Sequence, residues 1–216
     1  LADRVVPMLP RTLSNGICSL NAGEDRLALS CIMTIDGKGR IIGHTIAETV
    51  ICVNRRLSYT GVQKALDDDP EETALYPELV PMLKEMAEVS ALLRKRRRKR
   101  GSIDFDFPET KVILDEKGYP IDIRPYEWNT ATRLIEDFML AANECVARFA
   151  RENRVPLLYR VHEKPDAEKL AMFADFLDAI GVSAKNIRHD AAPSDIRALL
   201  EKTRERPEYS VITALA

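Results

Sequence analysis

The stretch from Asn129 to Phe149, NTATRLIEDFMLAANECVARF, constrains the fold more than any other. At about 100° per residue, Ala131, Leu134, Ile135, Phe138, Ala142, Cys145, Val146 and Phe149 fall on one broad apolar face, and Asn129 stands where a helix cap belongs. A long core helix is expected. The other positions separate into two sectors. Asp137, Glu144 and Arg148 read as a solvent face, whereas Asn129, Arg133, Glu136, Leu140 and Asn143 stack along another line. That second line has two readings. It is an ordinary exposed stripe in which Arg133 pairs with Glu136 or Asp137 at helical spacing, worth a few tenths of a kcal/mol, or it borders a polar cleft.

A helix of that length needs a core to pack on, and the composition supplies one. The chain has 216 residues, of which 45% are hydrophobic and 31% charged, enough for one large globular domain or two small ones. No run approaches the roughly 18 apolar residues that span a bilayer, so no membrane association is expected. LADRVVPMLP lacks an initiator Met and a signal-peptide layout, and SVITALA stops on an apolar run, so the chain reads as an internal piece of something longer. Cys18, Cys31, Cys52 and Cys145 form no CxxC pair. Buried thiols in a reducing compartment, the cytoplasm, are expected.

Taken in order, the chain opens on RVVPMLPRTLSNGICSL, read as turns and loop. Arg26 to Ile35 and Arg40 to Val53 are β-favouring runs joined by DGKG, a hairpin. A short helix near Tyr59 to Leu66 leads to a polar loop. From Pro77 to Arg98, apolar residues recur at spacings of three and four, giving a second amphipathic helix stopped by Gly101. The segment SIDFDFPETKVILDEKGYPIDIRPY carries two further β-like runs around the turn Glu116 to Gly118. After the central helix, VPLLYRVHEKPD reads as a short strand, Asp166 to Ile180 as a helix ended by Gly181, and Pro193 opens a last helix to about Arg204. The expectation is one α+β domain of antiparallel hairpins packed with long amphipathic helices.

Several clusters invite chemistry. Asp67, Asp68 and Asp69 suggest a hard cation, but adjacent side chains do not converge, and Asp-Asp-Asp-Pro is how a loop and N-cap before a helix look. Asp104 and Asp106 would share one strand face, with Ile103, Phe105 and Phe107 on the other; that apolar face is core, or its aromatic stacks on a base. Seven consecutive cations, Arg94 to Arg100, stand out in a chain of net charge -2. Such a block neutralises phosphates, or it simply ends a helix whose dipole favours cations there. His44, His162 and His189 lie in unrelated contexts with no nucleophile placed to form a triad, and none is assigned to catalysis.

Longer motifs go further. RVVPMLPRTLSNGICSLNAGEDRLALSCIMTID, RLSYTGVQ, KRGSIDFDFPETKVILDEKG, NTATRLIEDFMLAANECVARF and YRVHEKPD, in that order and across essentially the whole chain, resemble the catalytic domain of the ribonuclease II and ribonuclease R family, nearer its ribonuclease R branch. The resemblance implies a processive 3'-to-5' exoribonuclease that threads single-stranded RNA down a channel and releases 5'-nucleotides, with no obligate protein partner. Three positions match the family's substrate contacts. Tyr59 stands at the tyrosine that approaches the ribose near the scissile end. Glu136 stands at the glutamate that works with it on the 2'-hydroxyl, the group by which a protein tells RNA from DNA. Phe105 stands at the aromatic on which the 3'-terminal base stacks. The family depends on Mg2+ held by aspartates upstream of RVVPMLP, and it carries a further arginine and glutamate downstream of this chain. The resemblance therefore places no catalytic residue and no metal ligand within residues 1 to 216, and the piece alone is expected to be inert. A non-catalytic RNA-binding or scaffold module of the same fold is the alternative.

Overall fold

Antiparallel pairing organises the N-terminal part. Strand β1 (Asp25–Ile35) lies against β2 (Ile41–Cys52) in a register running from Asp25 opposite Cys52 to Thr34 opposite Gly43, with an irregularity at Ile35. The turn is fixed by Asp36, whose Oδ1 accepts the backbone N–H groups of Lys38 at 2.9 Å and Arg40 at 2.8 Å while Arg40 Nε donates to Oδ2 at 2.6 Å. These donors, the Arg40 amide foremost, hold the Asp36 carboxyl down to about 2. Along β1 the sheltered positions are Arg26, Ala28 and Ser30, then Cys31, Met33 and Ile35. The protected face therefore changes midway, as in a twisted two-stranded ribbon.

The computed structural model describes residues 5–102, 110–125, 128–161, 165–184, 186–188 and 191–216. These group into two compact units, one of residues 1–93 with 108–155, the other of 94–107 with 156–216. Asp104, Phe105, Asp106, His162 and His189 lie outside the described residues, as does the proposed strand face around Phe105. Secondary structure is helical with short antiparallel sheets, an α+β architecture.

In the first unit, α1 (Tyr59–Leu66) is capped by Ser58, α2 (Pro70–Leu75) by Asp69, and α4 (Thr130–Glu152) by Asn129, whose Oδ1 accepts the Thr132 N–H at 2.9 Å in a capping box. Helix α3 (Val80–Lys99) starts here. Ala65, Tyr76, Val80 and Leu83 form the buried cluster under α1, α2 and α3. Helix α4 buries Ala131, Leu134, Ala141, Cys145 and Ala150. Its C-terminal half meets the hairpin, with the His44 ring edge-on to Phe149 at 6.3 Å. Burial pushes the Cys145 thiol up, with Cys31 as its neighbour. The second hairpin, β3 (Thr110–Leu114) with β4 (Pro120–Pro125), turns on Asp115, which accepts from Lys117 and Tyr119. In the second unit, α5 (Ala167–Ala179), α6 (Pro193–Thr203) and α7 (Tyr209–Leu215) enclose a core that includes Phe173, Leu177, Leu199, Leu200 and Ile212. No helix of the described residues is long and apolar enough to cross a membrane.

Five expectations are corrected. Asp137 does not belong to a solvent face: it is 3% exposed, whereas Ile135 on the nominal apolar face is 47% exposed. Of the four cysteines only Cys145 is buried; Cys18 and Cys52 are exposed because they sit on the loop and the outer strand end. Val155–Val161 forms no strand: the run pairs with neither two-stranded sheet, and Leu158 is 98% exposed. Thr12–Ile17 winds into one π-helical segment instead of an irregular loop. The helix opened by Pro193 is followed by α7, because SVITALA buries Ile212 and Thr213.

Candidate functional site

The site begins with a cap. Ser58 Oγ accepts the Gly61 N–H at 3.1 Å, which fixes the start of α1 and leaves Tyr59, its first residue, 48% exposed. Tyr59 lines a cleft of about 690 Å³ enclosed by α1, α3 and α4. Its apolar wall comes from Val62, Met82, Leu83, Met86 and Leu134, and Arg56 and Ile135 also line it. The sequence dictates the close approach at the floor. A Cβ on Gly61 would lie 3.1 Å from Glu72 Oε2 and 3.2 Å from both Ser58 Oγ and the Tyr76 hydroxyl. Tyr76 donates to Glu72 Oε2 at 3.0 Å, and burial, helped by that carboxylate, pushes its phenol up. Arg55 lies over the Tyr76 ring, 6.0 Å from its centroid, and donates to the Leu75 carbonyl.

What brings α4 to this cleft is a residue the sequence did not flag. Gln63 Oε1 accepts the backbone N–H of Ala131 at 3.2 Å, satisfying a donor in the first turn of α4 that has no intrahelical partner. The Gln63 amide nitrogen donates to Asp67. The rotation of α4 is set on its far side, where Ser90 Oγ, itself 1% exposed, donates to Asp137 Oδ2 at 2.7 Å. With Asp137 turned inward, Ile135 faces the cleft. Glu136, the next residue, is half-buried beside it and does not line the cleft. Asn129, Arg133, Glu136 and Leu140, the mixed line of the helix, are all half-buried, and Asn143 is exposed. Tyr59 and the α4 segment carrying Glu136 are thus brought together; Phe105 lies outside the described residues.

The donor set does not fit a divalent cation. Among the described residues no three His, Cys, Asp or Glu gather to hold one. The aspartate run is used elsewhere: Asp67 takes the Gln63 amide, Asp68 pairs with Lys84 at 2.5 Å, and Asp69 caps α2.

Comparison with known proteins places this geometry. The RNB domain family matches residues 1–215. The chain is 41% identical over 216 residues to ribonuclease R of Thermotoga maritima, covering 100% of this chain and 30% of that protein. It is 38% identical over 215 residues to ribonuclease R 1 of Lactococcus lactis, covering 100% of this chain and 26% of that one. Among solved structures, Mycoplasma genitalium RNase R in complex with ribose-methylated single-stranded RNA superposes with a TM-score of 0.88 at 31% identity, over 98% of this chain and 33% of that chain. The chain spans about a third or less of the length of these relatives. With the match running through both compact units, the chain belongs to the RNB domain family, and the relatives it matches are ribonuclease R proteins.

Proposed function

We propose that the intact protein is a cytoplasmic 3'-to-5' exoribonuclease that hydrolyses single-stranded RNA processively to 5'-nucleotides with Mg2+, and that these residues supply its substrate contacts. The observation that carries the reading is that Tyr59 and Ile135, the neighbour of Glu136, line one cleft in a chain matched end to end by the RNB family. In this reading Tyr59 and Glu136 meet the ribose near the scissile end, and the Glu136 carboxylate accepts the 2'-hydroxyl. A deoxyribose offers no such donor, so the pair selects RNA. Phe105 stacks on the terminal base, which is tolerant of base identity and suits an enzyme that degrades any sequence. The cation would be held outside the described residues. The Mycoplasma genitalium relative's RNA complex supports single-stranded RNA as the ligand.

The test is Glu136→Ala in the intact protein, with binding of matched RNA and DNA oligomers as the readout. Losing a hydrogen bond to a charged acceptor, about 1.5–3 kcal/mol, should narrow the preference for RNA by roughly tenfold to a hundredfold. Loss of folding with the sugar preference unchanged would remove Glu136 from the site. The same residues also suit an RNA-binding module without hydrolysis, because the described residues gather no carboxylate cluster. Degradation of RNA that stops on chelation separates the two.

A further inference from the structure

The cations that close α3 do not line the cleft. Between Val89 and Ile103 the sequence holds no Asp or Glu, and Arg94 to Arg100 are all basic. A helix C-terminus presents the equivalent of about half a negative charge, which one cation satisfies; seven exceed that need several-fold. Lys95 and Lys99 stand at i,i+4 and Arg96 and Lys99 at i,i+3, spacings at which like charges repel. Arg94 and Arg97 are half-buried and the other five cations are exposed; of these, Lys95, Arg96 and Lys99 fall within about 100° of one another around the helix. Lys95 and Lys99 are separated by about 6 Å of helical rise, comparable with the spacing of successive phosphates along an extended strand.

We propose that the exposed face of Lys95, Arg96 and Lys99 on the last turns of α3 is a phosphate-contacting surface for single-stranded RNA, which rests on the exoribonuclease reading above. Its contribution is independent of sequence and sugar. Phosphates are common to every substrate, and lysine and arginine meet them by charge, without reading bases. It is thus complementary to Glu136, which distinguishes the sugar and ignores the sequence.

The experiment compares the intact protein with a Lys95→Gln/Arg96→Gln/Lys99→Gln variant and with a Lys117→Gln/Lys169→Gln/Lys202→Gln variant that removes the same charge from exposed positions elsewhere. Binding of single-stranded RNA and DNA of one length is measured across a salt series. At about 0.7 per phosphate for single strands, loss of three contacts should flatten the dependence of log affinity on log salt by about 2. Affinity for RNA and DNA should fall by the same factor, roughly tenfold, and the control variant should keep its slope. Arg96→Gln alone should flatten the slope by about 0.7, which keeps the test open if the triple variant folds poorly. An unchanged slope, or equal flattening in the control, overturns the proposal. So does a loss confined to phosphatidylserine vesicles with RNA binding intact, which would assign the face to a membrane. A wild-type protein that binds no RNA at any salt overturns the functional reading as well, whereas wild-type binding with an unchanged variant slope overturns this surface alone.

Discussion

One buried carboxylate decides which way the central helix faces. Read from hydrophobicity alone, the inward arc of α4 includes Ile135 and excludes Asp137; in the structure Asp137 is buried and Ile135 is 47% exposed. The helix is rotated toward Ser90, because a buried carboxylate is tolerable only where donors meet it. Ser90→Ala should therefore destabilise the protein by about 1–3 kcal/mol, since it leaves Asp137 buried and short of a donor. Urea unfolding measures this, and a change within a few tenths of a kcal/mol would mean that the Ser90 bond does not hold the rotation. The sequence could not show this pairing: Ser90 and Asp137 are 47 positions apart, and neither has a local signature. Local residues were more legible. Asn129 and Asp69 cap their helices as their spacing implies, and Tyr59 opens α1 where the short amphipathic run begins.

At the level of elements, the DGKG turn shows how a correct local reading still leaves the packing open. The turn falls at 36–39 as its residues imply, yet its two glycines play different parts. Gly37 has no heavy atom within 4 Å of a built Cβ, whereas Gly39 has φ +70 and its Cβ would meet the Leu92 carbonyl carbon and oxygen at 2.9 Å. Here the tip of the first hairpin presses on the backbone of α3. Gly39→Ala should cost at least about 1 kcal/mol through backbone strain and this contact, while Gly37→Ala should be neutral or slightly stabilising. Thermal unfolding of the pair separates the two, and equal effects would contradict the hairpin–helix contact. The run at Val155–Val161 is the opposite case. Its apolar residues satisfy a strand pattern, but a strand needs a partner, and the run pairs with neither of the two-stranded sheets.

For the whole molecule, the question is how much of an enzyme these residues hold. The first unit assembles a cleft with Tyr59 at its rim, but the described residues gather no cation ligands, and the chain spans about 26–30% of the ribonuclease R relatives named above. Phosphodiester hydrolysis of the proposed kind uses a cation to polarise phosphate and activate water. The 216-residue chain, incubated at high concentration with Mg2+ and 5'-labelled single-stranded RNA, should leave the RNA intact, while the intact protein yields a ladder of shortening products. A chelator-sensitive ladder from the chain alone would place a metal site within it. By itself, the sequence determined the α+β class, the caps and approximate bounds of the main helices and both hairpins, because caps, turns and apolar periods act between residues a few positions apart; membership of the RNB family was legible in the order of its long motifs. Only the tertiary structure decided the rotation of α4, the role of Gln63 in joining α4 to α1, and the placing of Tyr59 and Ile135 on one cleft. Those depend on buried polar groups finding partners far away in the chain, which no local pattern encodes.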